Sequence, residues 1–531
     1  MIRTKAGRAG TARPGRAALG AVSGLLAAFA GLALAQLAAA AVRPEAAPVT
    51  AVGGAVVDAT PAAVKEWAIR QFGTADKLVL TLGIGAVLAA AAIVAGLLAV
   101  RRPAAGTALA AAFGVLGAVA ALGRPEAAWQ DALPSLVGGV VAAGVVYLLV
   151  RAVPRPHPRS SGAGPPAAMD RRGFGRLALA TLALSAGAGY AGRRLGAFGD
   201  AGATASRAGL VLPPPAVPAP PVPAGSDLRI PGTTPFITPN RAFYRVDTAL
   251  VVPRVDADTW RLRVHGDGVS RPLDLGLRDL LARPLVEHDV TLTCVSNEVG
   301  GPYAGNARWL GVRLADLLRE AGVRPPSEGG RADQLVARSV DGMTLGTPVE
   351  AVMDGREALL AVGMNGEPLP FRHGFPVRMI VPGLYGYVSA CKWLRELRLT
   401  TFAAYDAYWV RRSWAQRAPV KTQSRIDTPR PFAEVAAGRV AVAGVAWAQH
   451  RGIARVEVRV DAGPWRQARL AAADGDDTWR QWVWPWEAAP GGHTLEVRAT
   501  DRTGAVQTGD RAGTLPDGAT GWHAVTVRVR G

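Results

Sequence analysis

The chain has 531 residues, of which 49% are hydrophobic and 19% charged, and it carries a formal net charge of +19. This length is enough for two or three domains that each bury a core. The positive charge is mostly arginine spread along the whole chain, without the basic, aromatic-interleaved patch of a nucleic-acid binder, so a nucleic-acid partner is not expected. The positive mean hydropathy indicates instead that part of the chain lies in lipid.

Uncharged stretches near the N-terminus predict membrane spans. Four of them are about long enough to cross the hydrocarbon of a bilayer, and a fifth, shorter one lies between Arg176 and Arg193. The five predicted spans are residues 17–42, 78–100, 104–123, 132–150 and 177–192.

The distribution of Lys and Arg between the connections predicts the orientation. Residues 1–16, 101–103 and 151–176 hold 13 of these residues, whereas residues 43–77 and 124–131 hold 5. Positive charge accumulates on the cytoplasmic side. We therefore expect a multi-pass protein of the cell membrane with its N-terminus inside and everything after residue 193 outside.

The approach to the fifth span resembles a twin-arginine export signal. Arg171, Arg172, Phe174 and Arg176 precede a short, weakly apolar run. An ordinary positive-inside flank is the simpler alternative. A twin-arginine signal implies that the exported domain folds around a cofactor before the domain crosses the membrane. The spans contain no histidine, so this chain is not expected to hold a membrane haem.

The rest of the chain predicts a linker and two domains. Residues 1–195 form the membrane region, and residues 196–225 are a linker whose second half, "LVLPPPAVPAPPVPAG", predicts an extended polyproline spacer. Residues 226–412 mix strand patterns, as in "VTLTC" and at 375–383, with an amphipathic helix at 314–323, which predicts an α+β domain.

Residues 413–531 predict an all-β, immunoglobulin-like sandwich. Alternating segments at 438–447, 454–460, 493–500 and 523–530 are separated by turn-rich intervals. The tryptophans of this region are expected to lie in the core or at interfaces, namely Trp465, Trp479, Trp482, Trp484 and Trp486.

The chain has only two cysteines, Cys294 and Cys391. Cys294 ends a predicted strand and precedes a loop with Gly300 and Gly301. The residues alone leave three alternatives open: a disulfide between the two cysteines, buried thiols in the core, or a ligand or nucleophile. No hydrolase signature accompanies Cys294, and the clustered ligands of a zinc site are missing.

A metal held by one thiolate and by a bound organic cofactor is compatible with the remaining motifs. Such a cofactor needs groups that hold an anionic tail and a polar ring system. His373, Arg378 and Lys392 are candidates for this, and they fall in the run "HGFPVRMIVPGLYGYVSACKWL".

Several motifs of residues 226–531 resemble the sulfite oxidase family of molybdopterin enzymes. They are "TPNRAFYRVDT", the cysteine followed three residues later by asparagine, "NARWLGVRLADLL", "MNGEPLPFRHGFPVRMIVPGLYG" and "SACKWL". The resemblance implies a molybdopterin domain followed by a sandwich that serves for dimerisation. It identifies the chain as a membrane-anchored bacterial member of that family.

The resemblance also implies roles for individual residues. Cys294 is expected to bind molybdenum beside the two dithiolene sulfurs of the pterin, and Arg245 and Asp341 join it as catalytic residues near the metal. The remaining expected contacts hold or line the cofactor: Tyr244, Arg245, Asp247, Asn297, Asp341, His373, Arg378, Ser389 and Lys392.

One departure from the family pattern concerns the substrate. Sulfite oxidases have arginines after the Cys-x-x-Asn motif, where this chain has Glu298 and Val299. Sulfite is therefore not assigned as the substrate. No haem domain is attached, so electrons are expected to pass to or from another protein or a quinone. The competing hypothesis is a membrane-anchored adhesion or scaffold protein with a Cys294–Cys391 disulfide.

Overall fold

The computed structural model describes residues 14–61, 64, 67–68, 71–72, 76–124, 127–153 and 171–531. Two compact units emerge, one from the residues up to 201 together with 248–251, the other from 202–247 together with 252–531. Much of the charge used to predict the orientation, at residues 1–13 and 154–170, lies outside the described residues.

The first unit is a bundle of helices. Among the described residues, four helices are long and apolar enough to cross a membrane, at Gly15–Val42, Lys77–Arg101, Pro103–Leu122 and Trp129–Arg151, as predicted. The helices of the bundle are α1 (Pro14–Val42), α2 (Pro48–Ala59), α3 (Asp76–Arg101), α4 (Pro103–Leu122) and α5 (Leu133–Arg151).

Small residues let these helices approach closely. A Cβ added to Gly24 of α1 would lie 1.9 Å from the carbonyl oxygen of Ala92 in α3. A Cβ on Gly114 of α4 would lie 2.6 Å from the Cα of Gly139 in α5. Close approach of backbones at small residues is a common way for helices to pack in lipid, where the hydrophobic effect does not drive association.

The next helix, α6 (Arg171–Ala208), covers the predicted fifth span but is not among the four helices above. Its apolar run at residues 177–192 is about 24 Å long, less than the about 30 Å of bilayer hydrocarbon. The helix also continues through the first 13 residues of the predicted linker, 196–208. These residues contain no proline and several alanines, so helix formation is not interrupted there.

The sequence predicts a free spacer at the proline-rich segment. In the structure this segment lies along strand β3 (Leu285–Thr293) instead. The N–H groups of Ala216 and Val217 donate to the oxygen of Leu285 at 2.8 and 3.2 Å, and the N–H of Glu287 donates to the oxygen of Val217 at 2.9 Å. Residues between prolines keep their N–H groups, and an extended backbone can pair with the edge of a sheet.

Two sheets and four short helices follow in the second unit. One sheet has the strand order β3-β4-β7-β8, with β9 also paired to β7, and the other has the order β2-β1-β10-β5-β6. The elements are β1 (Arg261–Gly266), β2 (Leu273–Gly276), α7 (Leu277–Leu281), β3, β4 (Ala304–Arg313), α8 (Leu314–Glu320), β5 (Gln334–Ser339), β6 (Thr344–Pro348), α9 (Val349–Met353), β7 (Leu359–Met364), β8 (Glu367–Pro368), β9 (Arg378–Ile380), α10 (Gly386–Ser389) and β10 (Leu394–Thr400).

Two predicted elements of this region are shorter than expected. The strand predicted at 375–383 pairs only over β9, because Pro376 and Pro382 have no N–H to donate to a ladder. The helix predicted at 314–323 ends at Glu320, and Gly322 follows with a φ of +81°.

The C-terminal part of the second unit is a sandwich of two sheets, with strand orders β11-β13-β17-β16 and β12-β19-β18-β14-β15. Trp479, Trp482 and Trp486 are buried, and Trp465 and Trp484 are partly buried. The strands are β11 (Gln423–Thr428), β12 (Glu434–Ala436), β13 (Gly438–Trp447), β14 (Ile453–Val460), β15 (Arg466–Gln467), β16 (Arg469–Leu470), β17 (Arg480–Ala488), β18 (Gly491–Asp501) and β19 (His523–Arg530).

Candidate functional site

Cys294 is placed by the end of strand β3. Its N–H donates to the oxygen of Tyr303 at 2.9 Å, which continues the pairing of β3 with β4 by one residue. The side chains of Thr291 and Thr293 point to the other side of the strand from Val290 and Leu292, and both threonines are 2% exposed. The strand is thus covered on both faces. Cys294, directly after the end of the strand, is 8% exposed.

Asn297 closes the loop that follows Cys294. Its N–H donates to the oxygen of Cys294 at 3.1 Å, and its Oδ1 accepts from the N–H of Tyr303 at 2.7 Å. The Cys-x-x-Asn spacing thus makes a turn that fixes the loop against its return strand. The described contacts of Asn297 brace the backbone on both sides of the turn.

Both cysteines are free thiols in the structure, so the Cys294–Cys391 disulfide of the scaffold hypothesis is not formed. Cys391 is fully buried, and burial raises the pKa of its thiol. Burial also raises the pKa of Cys294, while hydrogen bonds with Ser296 and the charge of Lys392 lower it. The charge of Lys392 lowers the pKa of both thiols, and the hydrogen bonds with Ser296 that favour a thiolate are found at Cys294.

Two buried cations come from the motif after His373. Arg378 in β9 is 5% exposed, its Nη1 donates to the oxygen of His373 at 3.2 Å, and its Cζ lies 5.0 Å from the ring centroid of Trp309. Its Nε is buried without a hydrogen-bond partner. Burial lowers the pKa of Arg378 to about 10 and that of Lys392 to about 8.

Asp247 joins two of the cations. Its Oδ2 lies 2.7 Å from Lys392 Nζ and 2.7 Å from Arg245 Nε. The carboxylate side chain is 3% exposed, whereas the Arg245 side chain is 24% exposed. Asp247 thus holds a buried cation and a partly exposed one at the same place.

His373 is a neutral donor at this site. Burial, together with the nearby charges of Arg378 and Lys392, lowers its pKa to about 3, against the raising effect of the hydrogen bond to Asn240. Nε2 lies 2.8 Å from the oxygen of Asn240 and must carry the proton, because a carbonyl oxygen only accepts. Nδ1 is then left as an acceptor.

Tyr244 belongs to the same group. Burial and the neighbouring Cys294 raise its pKa, so the phenol stays protonated and can donate. The ring of Phe243 stacks on Tyr244 at 5.3 Å and meets His373 edge-on at 5.7 Å. Aromatic packing therefore connects Tyr244 to His373.

Ser389 and Asp341 are two further residues that the sequence predicts at the site. The Ser389 hydroxyl donates to the oxygens of Leu384 and Tyr385, so its side chain is used within its own turn. The Asp341 carboxylate follows β5 and raises the pKa of Cys391. It also accepts from the N–H of Met343 at 3.4 Å.

The sequence reasoning assigned no role to Trp309, Phe243 and Asn240. All three lie in quoted motifs, "NARW" and "TPNRAFY". Their contacts with Arg378 and His373 cross between elements that are distant in sequence. The spacing of residues in a motif does not predict contacts between distant elements.

The residues fit an anionic cofactor that carries a metal. The described residues include no group of three His, Cys, Asp or Glu side chains that could hold a metal ion by themselves. The unpartnered Arg378 Nε is a buried donor available to such a cofactor. Gly374, with a φ of +109°, has no room for a side chain, since a Cβ would lie 3.0 Å from Lys392 Cα.

Known proteins with similar sequences share this region. Residues 249–409 match the family model described as "Oxidoreductase molybdopterin binding domain". The mitochondrial sulfite oxidase of Rattus norvegicus is 34% identical over 291 residues, covering 48% of this chain and 52% of that protein. The sulfite oxidase of Gallus gallus is 32% identical over 319 residues, covering 51% of this chain and 68% of that protein.

A solved structure also aligns with the chain. It is the sulfane dehydrogenase SoxCD from Paracoccus pantotrophus, with 26% identity, a TM-score of 0.45, and coverage of 52% of this chain and 75% of that one. The chain spans about half the length of the mammalian sulfite oxidases that it matches.

Proposed function

The chain belongs to the sulfite oxidase family of molybdopterin-dependent oxidoreductases, and we propose that it is a membrane-anchored enzyme acting on a small, sulfur-containing substrate. The observation that carries the proposal is the free, buried thiol of Cys294, whose pKa is lowered by hydrogen bonds with Ser296 and by the charge of Lys392, against the effect of burial. The free state of both cysteines argues against the disulfide of the scaffold hypothesis. The bound cofactor supplies a two-electron transfer of an oxygen atom to or from the substrate.

We assign the residues that hold the cofactor from their chemistry. The Cys294 thiolate is the soft ligand for molybdenum. Arg378 and Lys392 are the buried cations for the anionic part, and Arg378 offers its unpartnered Nε. Neutral His373 offers an acceptor at Nδ1, and Tyr244 offers a donor. Asn297 and Ser389 act through the backbone turns that they fix.

Burial fixes the protonation states of Tyr244 and His373 at the site. Burial keeps Tyr244 protonated. His373 has a pKa of about 3 and is therefore neutral at any higher pH. Asp247 holds Lys392 in its charged form, because the carboxylate raises the pKa of Lys392 against the effect of burial. Tyr244 and His373 therefore keep one protonation state across neutral pH, whereas Lys392 loses its proton as the pH rises through about 8.

The substrate meets the less buried part of the site. Arg245 is the partly exposed cation of the group, and we propose that it attracts the substrate, with Asp341 as a second polar contact. Glu298 and Val299 replace the arginines that hold sulfite in the family. We therefore propose a substrate with less negative charge than sulfite.

We propose that the catalytic part lies on the outer side of the cytoplasmic membrane, with α6 as the fifth span and a twin-arginine signal at its start. Two ion pairs support the arrangement of the loops. Arg43 pairs with Asp131, and Arg124 Nη1 lies 3.0 Å from Asp58 Oδ2. Both pairs connect the two segments predicted on the outer side, which is consistent with their lying at the same end of the bundle.

The proposed enzyme needs a partner for its electrons, and we propose a second protein or a quinone, because the predicted spans contain no histidine to hold a haem. The sandwich is proposed to form a homodimer, as in the family.

The test is metal and pterin analysis of the purified full-length chain, followed by assays with an artificial electron carrier. We expect about one molybdenum per chain and turnover of sulfur compounds or sulfoxides that exceeds turnover of sulfite. Protein that is free of metal and of pterin after expression in a host that makes the cofactor would contradict the proposal.

A further inference from the structure

The β-sandwich holds the strand that leads to Cys294. Gln449 Nε2 donates to the oxygen of Thr291 at 2.9 Å and to Thr293 Oγ1 at 2.8 Å. The N–H of Trp479 donates to Thr291 Oγ1 at 2.8 Å. Gln449 and Trp479 are each 1% exposed, so these hydrogen bonds form without competition from water.

The sandwich also holds the loop that leaves Cys294. Arg425 in β11 donates from Nη1 to the oxygen of Gly301 at 2.8 Å. Its Nε donates to Asp427 at 2.6 Å and its Nη2 to Thr234 at 2.9 Å. The guanidinium is buried and engaged on three nitrogens, so it cannot rotate without losing hydrogen bonds.

A second contact lies one residue earlier in the loop. A Cβ on Gly300 would lie 2.1 Å from Cδ2 of His523, so the imidazole packs directly against the loop backbone. Burial and the nearby Arg425 lower the pKa of His523 to about 4. The neutral ring accepts from the N–H of Ile426 at 3.0 Å, which fixes its orientation.

We propose that Gln449, Arg425 and His523 are positioning residues that set where the Cys294 sulfur lies. The sandwich then contacts the chain on both sides of Cys294, in the strand before it and in the loop after it. The inference rests on the proposed function, because it concerns the residue proposed to bind the metal. It gives the sandwich a role at the metal site in addition to dimerisation. Outer partners of this kind orient metal ligands, and their loss typically costs about 10- to 100-fold in affinity or activity.

The test measures the reactivity of the two thiols in the full-length chain, purified without molybdenum. Cys391 is the internal reference, because it is fully buried and responds to global loosening. In Arg425→Gln and in Gln449→Leu we expect alkylation of Cys294 to speed up by about 10-fold relative to Cys391, as expected for a loosened ligand loop.

Two further variants complete the series. Arg425→Lys keeps the positive charge and one donor nitrogen, and its rate of Cys294 alkylation is expected to lie between those of the wild type and Arg425→Gln. Arg498→Gln is the matched control, because Arg498 pairs with Glu457 and packs on Trp465 elsewhere in the sandwich. It is expected to leave the ratio unchanged.

In enzyme loaded with cofactor, Arg425→Gln and Gln449→Leu are also expected to lose most of their molybdenum. An unchanged alkylation ratio in both variants would overturn the inference, and so would a parallel rise for both thiols. Wild-type protein that takes up no molybdenum would overturn the proposed function instead, while the alkylation result would stand.

Discussion

Asp247 raises the pKa of one buried cation of the site, Lys392. Its carboxylate contacts Lys392 and Arg245 at 2.7 Å each. Burial lowers the pKa of Lys392 to about 8, and Asp247 opposes that decrease. A bound anion raises the pKa of Lys392 again, so the loaded enzyme keeps the lysine charged at and above pH 8.

In Asp247→Asn the pKa of Lys392 falls, and the lysine loses its proton at a lower pH. We expect cofactor retention to decline as the pH rises, with a midpoint at least about one pH unit lower than in the wild type. The measurement is bound molybdenum after dialysis between pH 6 and pH 10. Arg245→Gln is the control, because Arg245 lowers the pKa of Lys392 and its removal should move the midpoint upward. Equal midpoints in wild type and Asp247→Asn would refute this.

At the scale of elements, the turn before β9 packs without space to spare. Gly374 has a φ of +109°, and a Cβ there would lie 3.0 Å from Lys392 Cα and 3.1 Å from Arg378 Cβ. The turn thus packs closely against the residues that carry both buried cations.

Gly374→Ala is expected to lower both stability and cofactor content. Gly355→Ala is the matched control, because Gly355 has a φ of +100° but nothing within 4 Å of an added Cβ. Backbone strain costs each variant about 1–3 kcal/mol, whereas crowding affects only Gly374→Ala. We expect both variants to melt at a lower temperature and only Gly374→Ala to lose molybdenum. Equal molybdenum in the two would show that the tight packing has no role at the site.

The sequence predicts local elements better than contacts between them. The strands at 438–447 and 523–530 are found as predicted, because alternation of apolar residues depends on the strand alone. The pairing of the proline-rich segment with β3 was missed, since it depends on single N–H groups of Ala216 and Val217. The helical start of the predicted linker was missed because residues 196–208, which contain no proline, continue the preceding helix.

The same distinction holds for the site. Motifs that resemble the family led to Cys294, Arg378 and Lys392, and the structure brings the charge of Lys392 to Cys294. The contacts of Trp309 and Arg425 with the site arise from tertiary packing. No spacing in the sequence predicts them.

At the scale of the whole molecule, the proposed export signal determines where the enzyme acts. In Arg171→Lys with Arg172→Lys we expect the catalytic part to stay in the cytoplasm, because a twin-arginine signal is read as a pair of arginines and not as charge alone. Protection of the C-terminal part from external protease in spheroplasts measures this. Arg193→Lys with Arg194→Lys, at the other end of the apolar run, is the control and should leave the catalytic part accessible. Wild-type accessibility in the first double variant would rule the signal out.

The central claim is that Cys294 binds molybdenum in a pterin cofactor. X-ray absorption at the molybdenum edge tests it most directly, on the full-length wild type, on Cys294→Ser and on Cys391→Ser. We predict that Cys294→Ser has one sulfur neighbour of molybdenum fewer than the wild type and has lost turnover, whereas Cys391→Ser keeps the wild-type spectrum. The same number of sulfur neighbours in Cys294→Ser and wild type, or a wild type without molybdenum, would contradict the claim.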